Sequence, residues 1–351
     1  MSDYKAAGKT QKKKVMGWEV AHDLEAKKNS IGKRSSLNRK QVVSTLVILI
    51  IFFGVFLIGC WLAGNPFDAT KRIASTAVVN MGWQGTDRWG IIWWVVLAAI
   101  IFEFLDASAG MGYGTAFTPL LIFFGFDPLQ IVPVVMIQQG LAGLCGAYLH
   151  REFENVEWRI RPMSETIRLW LIIGGAGCLA VLFSVTAVYG VFKVAKVWIN
   201  LYVALLLVAM GVISLFNAQR KKTYKPRNMV FYGALAGFNK GIGGGGYGPV
   251  ITVGGLLSGV PAKSMMAVTA LSEGSVCLVS IVAWLALLGQ GVVIDFILLP
   301  SMILGSIFAV IVAPYTTRVL PEKLWQWIVP IYCCILAVLC LWKIIPSIIK
   351  A

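Results

Sequence analysis

Apolar residues fill this chain in blocks, and the length of the blocks predicts helices that cross a membrane. Uncharged runs occupy 41–67, 128–149, 169–192, 197–219 and 296–317. Each matches or exceeds the roughly 20 helical residues that span a hydrocarbon core of about 30 Å. A further run, 324–341, is shorter but sufficient, and 264–294 is interrupted by a single charge, Glu273. Two more apolar stretches, 90–126 and 229–257, are split by glycine-rich breaks. The first break reads Asp106-Ala107-Ser108-Ala109-Gly110-Met111-Gly112-Tyr113-Gly114, and the second Asn239-Lys240-Gly241-Ile242-Gly243-Gly244-Gly245-Gly246-Tyr247-Gly248. Unwound backbone is tolerated at membrane depth only where it faces protein or a watery cavity. Paired breaks in the two halves of a chain therefore point to a transport site.

The halves are related by an internal repeat. Asp127-Pro128 falls on Val260-Pro261 at an offset of 133, and the Gly-Tyr-Gly triplets ending at Gly114 and Gly248 match at 134. Loop charge then orients the chain. A basic connector, Arg220-Lys221-Lys222-Thr223-Tyr224-Lys225-Pro226-Arg227, and a basic N-terminus belong on the cytoplasmic side. With both inside, 90–126 enters and leaves as a hairpin from the outer face, and 228–258 does so from the inner face. The expected fold is thus an all-α polytopic membrane protein of the cytoplasmic (inner) cell membrane. It has two inverted-topology repeats, each with a broken-helix hairpin, plus an extra C-terminal helix. The divisions are a basic cytoplasmic tail (1–40), a first membrane repeat (41–217), a basic connector (218–228), and a second repeat with the last helix (229–351).

Composition agrees with this picture. The 351 residues are 58% hydrophobic and 13% charged, a balance foreign to a soluble globule. The net charge is +15, and residues 1–40 alone hold eleven Lys/Arg against four Asp/Glu. A nucleic-acid-binding arm is one reading of that tail. A polybasic segment drawn to anionic lipid beside the first span is the better one, so no nucleic-acid partner is expected. The seven cysteines all lie in apolar stretches, and the two histidines, His22 and His150, form no metal-ligand spacing with them. Buried small hydrophobes account for them. No disulfide, metal or cofactor is read from the chain, and its oligomeric state is left open.

If each break joins two half-helices, the second begins with several amide N–H groups that lack helical partners. Their partial positive charge favours an anion, and glycine lets the backbone approach it. Gly110, Gly112, Tyr113, Gly114 and Thr115 from the first break are candidate binding residues. From the second come Asn239, Lys240, Gly243, Gly244, Gly245, Gly246 and Tyr247. Tight helix packing is the competing account of the glycines; it suffices for Gly143, Gly146, Gly174, Gly175 and Gly177, and less well for four in succession. Gln138 and Gln139, with Ser272 and Glu273, occupy equivalent places in the helices after each hairpin and are expected to face one cavity. An intramembrane carboxylate is costly, so Glu273 is either a proton-coupling group or a packing residue held by hydrogen bonds. Lys240 either adds charge to the site or snorkels to the surface. Glu103 and Asp106 are either a second titratable site or solvated hairpin residues. The letters GxGxxG at 241–246 lack a strand and a βαβ unit, so they carry no nucleotide-binding reading. Trp89, Trp93, Trp94, Trp325 and Trp327 read as interfacial anchors.

The segment Gly237-Phe238-Asn239-Lys240-Gly241-Ile242-Gly243-Gly244-Gly245, with Gly259-Val260-Pro261, resembles the signature of the TauE/SafE family of sulfite and organosulfonate exporters. Ala109–Gly114 with Phe126-Asp127-Pro128 is similar to its degenerate first copy. The resemblance covers roughly residues 90–345 and implies a permease for sulfite, sulfonates or related anions. The leading expectation is a secondary transporter that exports such an anion by alternating access, with or without proton coupling. The alternative is an anion channel or a carrier for another small organic anion. An enzyme is not expected, since no nucleophile stands beside a base and no HExxH or ATP-binding loop occurs.

Overall fold

The computed structural model describes residues 37–64, 91–187 and 226–321, with single residues between 205 and 216 and between 324 and 342. The basic tail, the 65–90 segment, most of the 197–219 run, the connector before Pro226 and most of the last helix lie outside the described residues. Among the described residues the secondary structure is helical, and five helices are long and apolar enough to cross a membrane. These are α1 (Arg39–Ala63), α4 (Pro128–Glu152), α5 (Glu165–Val185), α8 (Ala262–Gly289) and α9 (Leu299–Val319). Shorter helices lie between them: α2 (Trp93–Ala109), a π-helical turn (Tyr113–Phe117) leading into α3 (Thr118–Phe123), α6 (Pro226–Gly243) and α7 (Tyr247–Leu257).

Local chemistry sets the helix starts. Asn38 caps α1 by accepting from Gln41 N, and the Gln41 side chain accepts from Asn38 N in return. Asp127 caps α4 through Leu129 N, Gln130 closes the reciprocal bond, and Pro128 occupies the first turn where its missing N–H costs nothing. Asp127→Ala is expected to lower stability by about 1 kcal/mol, seen as an earlier unfolding transition in detergent with transport at saturation retained.

The starts Tyr113 and Tyr247, Pro128 and Ala262, and Glu165 and Leu299 are each separated by 134 residues. Packing follows the same correspondence. α2 lies on α9 while its counterpart α6 lies on α5, and α4 lies on α8. α2 and α6 therefore each pack against a helix from the other half of the sequence. Two apolar cores result. One joins Phe52, Phe117, Val135, Met302 and Ile303; the other joins Ile173, Tyr247, Val250, Met265 and Val276. The outer faces are apolar too, with Ile50, Leu179 and Phe308 largely exposed. Hydrocarbon, not water, suits that surface.

Small residues let these helices close up. Gly143 on α4 sits against Ala270 and Gly274 of α8, and Gly177 on α5 against Val276 and Gly237. Packing thus explains both, as the sequence suggests. It does not explain Gly146 and Gly175, where an added Cβ would meet no atom within 4 Å.

Candidate functional site

α2 ends at Ala109, and Gly110 follows it in the left-handed region at φ +72°. The equivalent residue at the second break, Gly244, has φ +71°. A Cβ is strained in that region, which is why each helix stops at a glycine. The second break is narrower than its glycine run implies. Asn239, Lys240, Gly241 and Gly243 all belong to α6, and only residues 244–246 interrupt the helix. The earlier glycines stay within α6 and pack closely on α5: Gly241 lies against Ser184 and Gly237 against Gly177.

The two breaks touch. Gly114 lies on Gly244 and Gly245, and in the equivalent contact Gly248 lies on Gly110 and Met111. Side chains tie them further. Thr115 Oγ1 accepts from Gly246 N at 3.0 Å, and Thr252 Oγ1 donates to Gly110 O at 2.8 Å. Tyr113 N donates to Asp106 Oδ1 at 3.2 Å. The amides of Tyr113 and Gly246, which sequence reasoning left open for a ligand, are thus engaged within the protein.

A chain of polar side chains runs beside the breaks. Lys240 is fully buried, so it does not snorkel; its Nζ lies 2.6 Å from Glu273 Oε1 and also donates to Gln139 Oε1. Gln139 Nε2 then donates to Asp106 Oδ2 at 2.9 Å. The neighbouring Gln138 donates from Nε2 to Glu103 Oε2 and to Ser306 Oγ, each at 2.7 Å. Asn239 is fully buried beside Gly246, and neither its amide oxygen nor its nitrogen has a hydrogen-bond partner. Such orphans are rare in protein interiors and point to a missing partner.

Glu103, Asp106, Gly110, Gln139, Thr269 and Glu273 line one narrow cavity, which continues past Gly146 to His150. Its ≈ 20 Å³ of water-accessible space is enough for about one water. Of the residues proposed from sequence, Gly110, Gln139 and Glu273 line it, and Lys240 reaches it through its bonds to the last two. Tyr113, Gly114, Thr115, Gly244, Gly245 and Tyr247 are buried around the junction of the breaks, as is Gly112. Gly243 is only half-buried. Ser272 is turned away into a bond with Thr269 O, and Gln138 faces Glu103 instead of the cavity's centre.

Glu103 and Asp106 are the larger discovery. They are not solvated hairpin residues: Glu103 is buried, and both are held by the glutamine pair. Their spacing of three on one helix face, opposite adjacent glutamines, was the available signal. Ser306 and His150 gave none. His150 is fully buried; its Nε2 donates to Ala107 O at 3.2 Å, and its Nδ1 accepts from Asn155 Nδ2 at 3.1 Å.

Three carboxyl groups and one ammonium thus share a buried junction beside the helix ends at Gly110 and Gly244. Only part of the acid is balanced by Lys240, and the unbalanced remainder is costly at membrane depth. Over 158 residues the chain is 28% identical to the "Probable membrane transporter protein YtnM" of Bacillus subtilis (strain 168). The match covers 44% of this chain and spans about half (50%) of that relative's length. No solved structure matches. Residues 95–340, which include both breaks and every member of the polar chain, match the family model described as "Sulfite exporter TauE/SafE", and the protein belongs to that family.

Proposed function

We propose that this protein is a secondary transporter that exports a small sulfur-containing anion, sulfite or an organosulfonate, across the cytoplasmic membrane. The observation that carries the reading is Lys240, a buried ammonium 2.6 Å from Glu273 and next to the orphaned amide of Asn239. An ammonium in a dry site attracts an anion strongly, and the amide nitrogen of Asn239 supplies a directed donor to one of its oxygens. The substrate displaces Glu273 from Lys240. Gln139, Asn239 and the backbone at 110–115 and 243–247, apart from the engaged amides of Tyr113 and Gly246, complete its shell. The family supplies the sulfur chemistry, which electrostatics alone does not specify.

Alternating access suits the dimensions. A cavity with room for about one water is too small for a three-oxygen anion, so loading requires a rearrangement. Two hairpins that pack across the halves, at a common spacing of 134 residues, support inverted-topology repeats that rock about the α4–α8 contact. In this scheme the polybasic 1–40 tail holds anionic lipid on the cytoplasmic side, and the chain performs no catalysis.

The test is uptake into proteoliposomes of labelled sulfite, a short sulfonate, sulfate and a carboxylate. Saturable flux of sulfite or sulfonate is expected; preference for the carboxylate sinks the sulfur assignment, and steady bilayer currents favour a channel. Glu273→Gln adds a sharper reading. The carboxylate competes with substrate for Lys240, so its removal is expected to lower KM and slow release together, the mark of lost ground-state competition. A raised KM assigns Glu273 to substrate binding instead.

A further inference from the structure

The three buried carboxyls are not equivalent, and the differences single out one of them. Glu273 has an ammonium partner in Lys240 at 2.6 Å. Asp106 is held by an amide locked at both ends: Gln139 donates to it through Nε2 while its Oε1 accepts from Lys240. The Gln139 bond to Asp106 and the Lys240 bond to Glu273 cannot be exchanged without breaking the Lys240 centre, and Asp106 Oδ1 is held in addition by Tyr113 N. Among the described residues Glu103 has no cation in bonding contact. It is 2% exposed and is held by Gln138, whose Oε1 is buried and has no hydrogen-bond partner.

That orphan oxygen is informative. A carboxylate only accepts hydrogen bonds, whereas a carboxylic acid also needs an acceptor for its O–H. A glutamine amide offers both, a donor at Nε2 and an acceptor at Oε1, on a terminal torsion with broad, roughly two-fold preference. In the observed arrangement Nε2 faces Glu103. Half a turn of the amide presents Oε1 to a protonated Glu103 and to the Ser306 hydroxyl, and it moves Nε2 into the unpartnered place that the oxygen now holds. Gln139 cannot make this turn, because it would set its NH2 against the ammonium of Lys240.

We propose that Glu103 is the proton-binding site that couples transport to the proton gradient, with Gln138 as the amide that satisfies both of its states. The proposal rests on the transport reading above and adds its driving ion. Binding is a simple addition: a proton from water enters through the cavity that Glu103 lines and adds to its carboxylate, and it leaves with no other covalent bond broken, only the Gln138 hydrogen bonds being exchanged. The groups that face Glu103 are Asp106 on its own helix, Gln138 on α4, Ser306 on α9 and Tyr113 of the first break. Lys240 and Glu273 lie across the cavity, close enough to sense its charge. Substrate arrival at Lys240 thus changes the field at Glu103, which links the two sites electrostatically.

Two measurements on the full chain test this. Infrared difference spectra across a pH titration of the purified protein report protonated carboxyls directly, whether or not a substrate is known. A carboxyl C=O component is expected that is absent in Glu103→Gln, shifted in Gln138→Leu and retained in Glu273→Gln. Identical titrations of wild type and Glu103→Gln overturn the proposal. The second uses methanesulfonate and thiosulfate as probes, because their charge is insensitive to pH, with the membrane potential clamped. Wild-type flux is expected to respond to an imposed pH gradient. Glu103→Gln keeps anion exchange but loses that response, and Glu103→Asp restores part of it. A pH-gradient response that survives in Glu103→Gln overturns the proposal as well. If no sulfur anion moves in the wild type, the transport reading fails while the infrared titration still decides the proton site.

Discussion

Lys240→Met is expected to abolish anion flux and to destabilise the fold by about 3–5 kcal/mol, the usual cost of breaking a buried ion pair from one side. The variant leaves Glu273, 6% exposed, without its ammonium, and leaves Gln139 Oε1 without its donor. Both are then buried and unpaired. The two losses separate in the double variant Lys240→Met/Glu273→Gln. Removing both charges restores most of the stability, because a buried pair exchanged for neutral groups is often near neutral overall. It restores no flux, because the anion's counter-charge is gone. Detergent unfolding and proteoliposome flux, measured on the same preparations, check the two halves. If the double variant transports, Lys240 is a structural ion-pair partner and the anion binds elsewhere.

The long helices were legible because the bilayer demands them. Runs of uncharged residues at 41–67, 128–149, 169–192, 264–294 and 296–317 correspond to α1, α4, α5, α8 and α9. The positions of the breaks were legible for a different reason. Only glycine occupies φ near +70° without strain, so Gly110 and Gly244 mark them in the sequence itself. Their width was not legible. Gly241 belongs to the same glycine-rich run as Gly244, yet it stays within α6, packed against Ser184 of α5.

The site was half visible for the same reason. Gln139 and Glu273 were expected in one cavity from the repeat, and they line one. The fate of Lys240 could not be read locally, because its two partners lie 101 and 33 residues away. One unused signal was present: Asp106 of α2 and Lys240 of α6 stand 134 residues apart, the spacing of the helix starts, with opposite charges. A solvated acid has no reason to mirror a buried base. Equivalence, more than hydropathy, carried the information about Asp106.

The contact between the two breaks makes the second large prediction. Gly114→Ala places a Cβ on the carbonyl oxygen of Gly244 and 3.0 Å from the Cα of Gly245, so backbone must move. Overpacking of this kind costs typically 1–3 kcal/mol, and here it parts the surfaces beside the proposed anion site, so flux is expected to fall at least tenfold. Gly245→Ala meets Gly114 O and the Thr115 nitrogen from the other side and should behave alike. The two are predicted to be non-additive, since one separation relieves both clashes. Gly175→Ala is the control: its Cβ meets nothing within 4 Å and it lies inside α5, so it should gain about 0.5–1 kcal/mol and transport normally. Unfolding and initial-rate flux for the four variants decide the matter. Full additivity of Gly114→Ala and Gly245→Ala means that the breaks do not form one contact. In that case the anion site has to be built from Lys240, Gln139 and Asn239 without the glycine backbone.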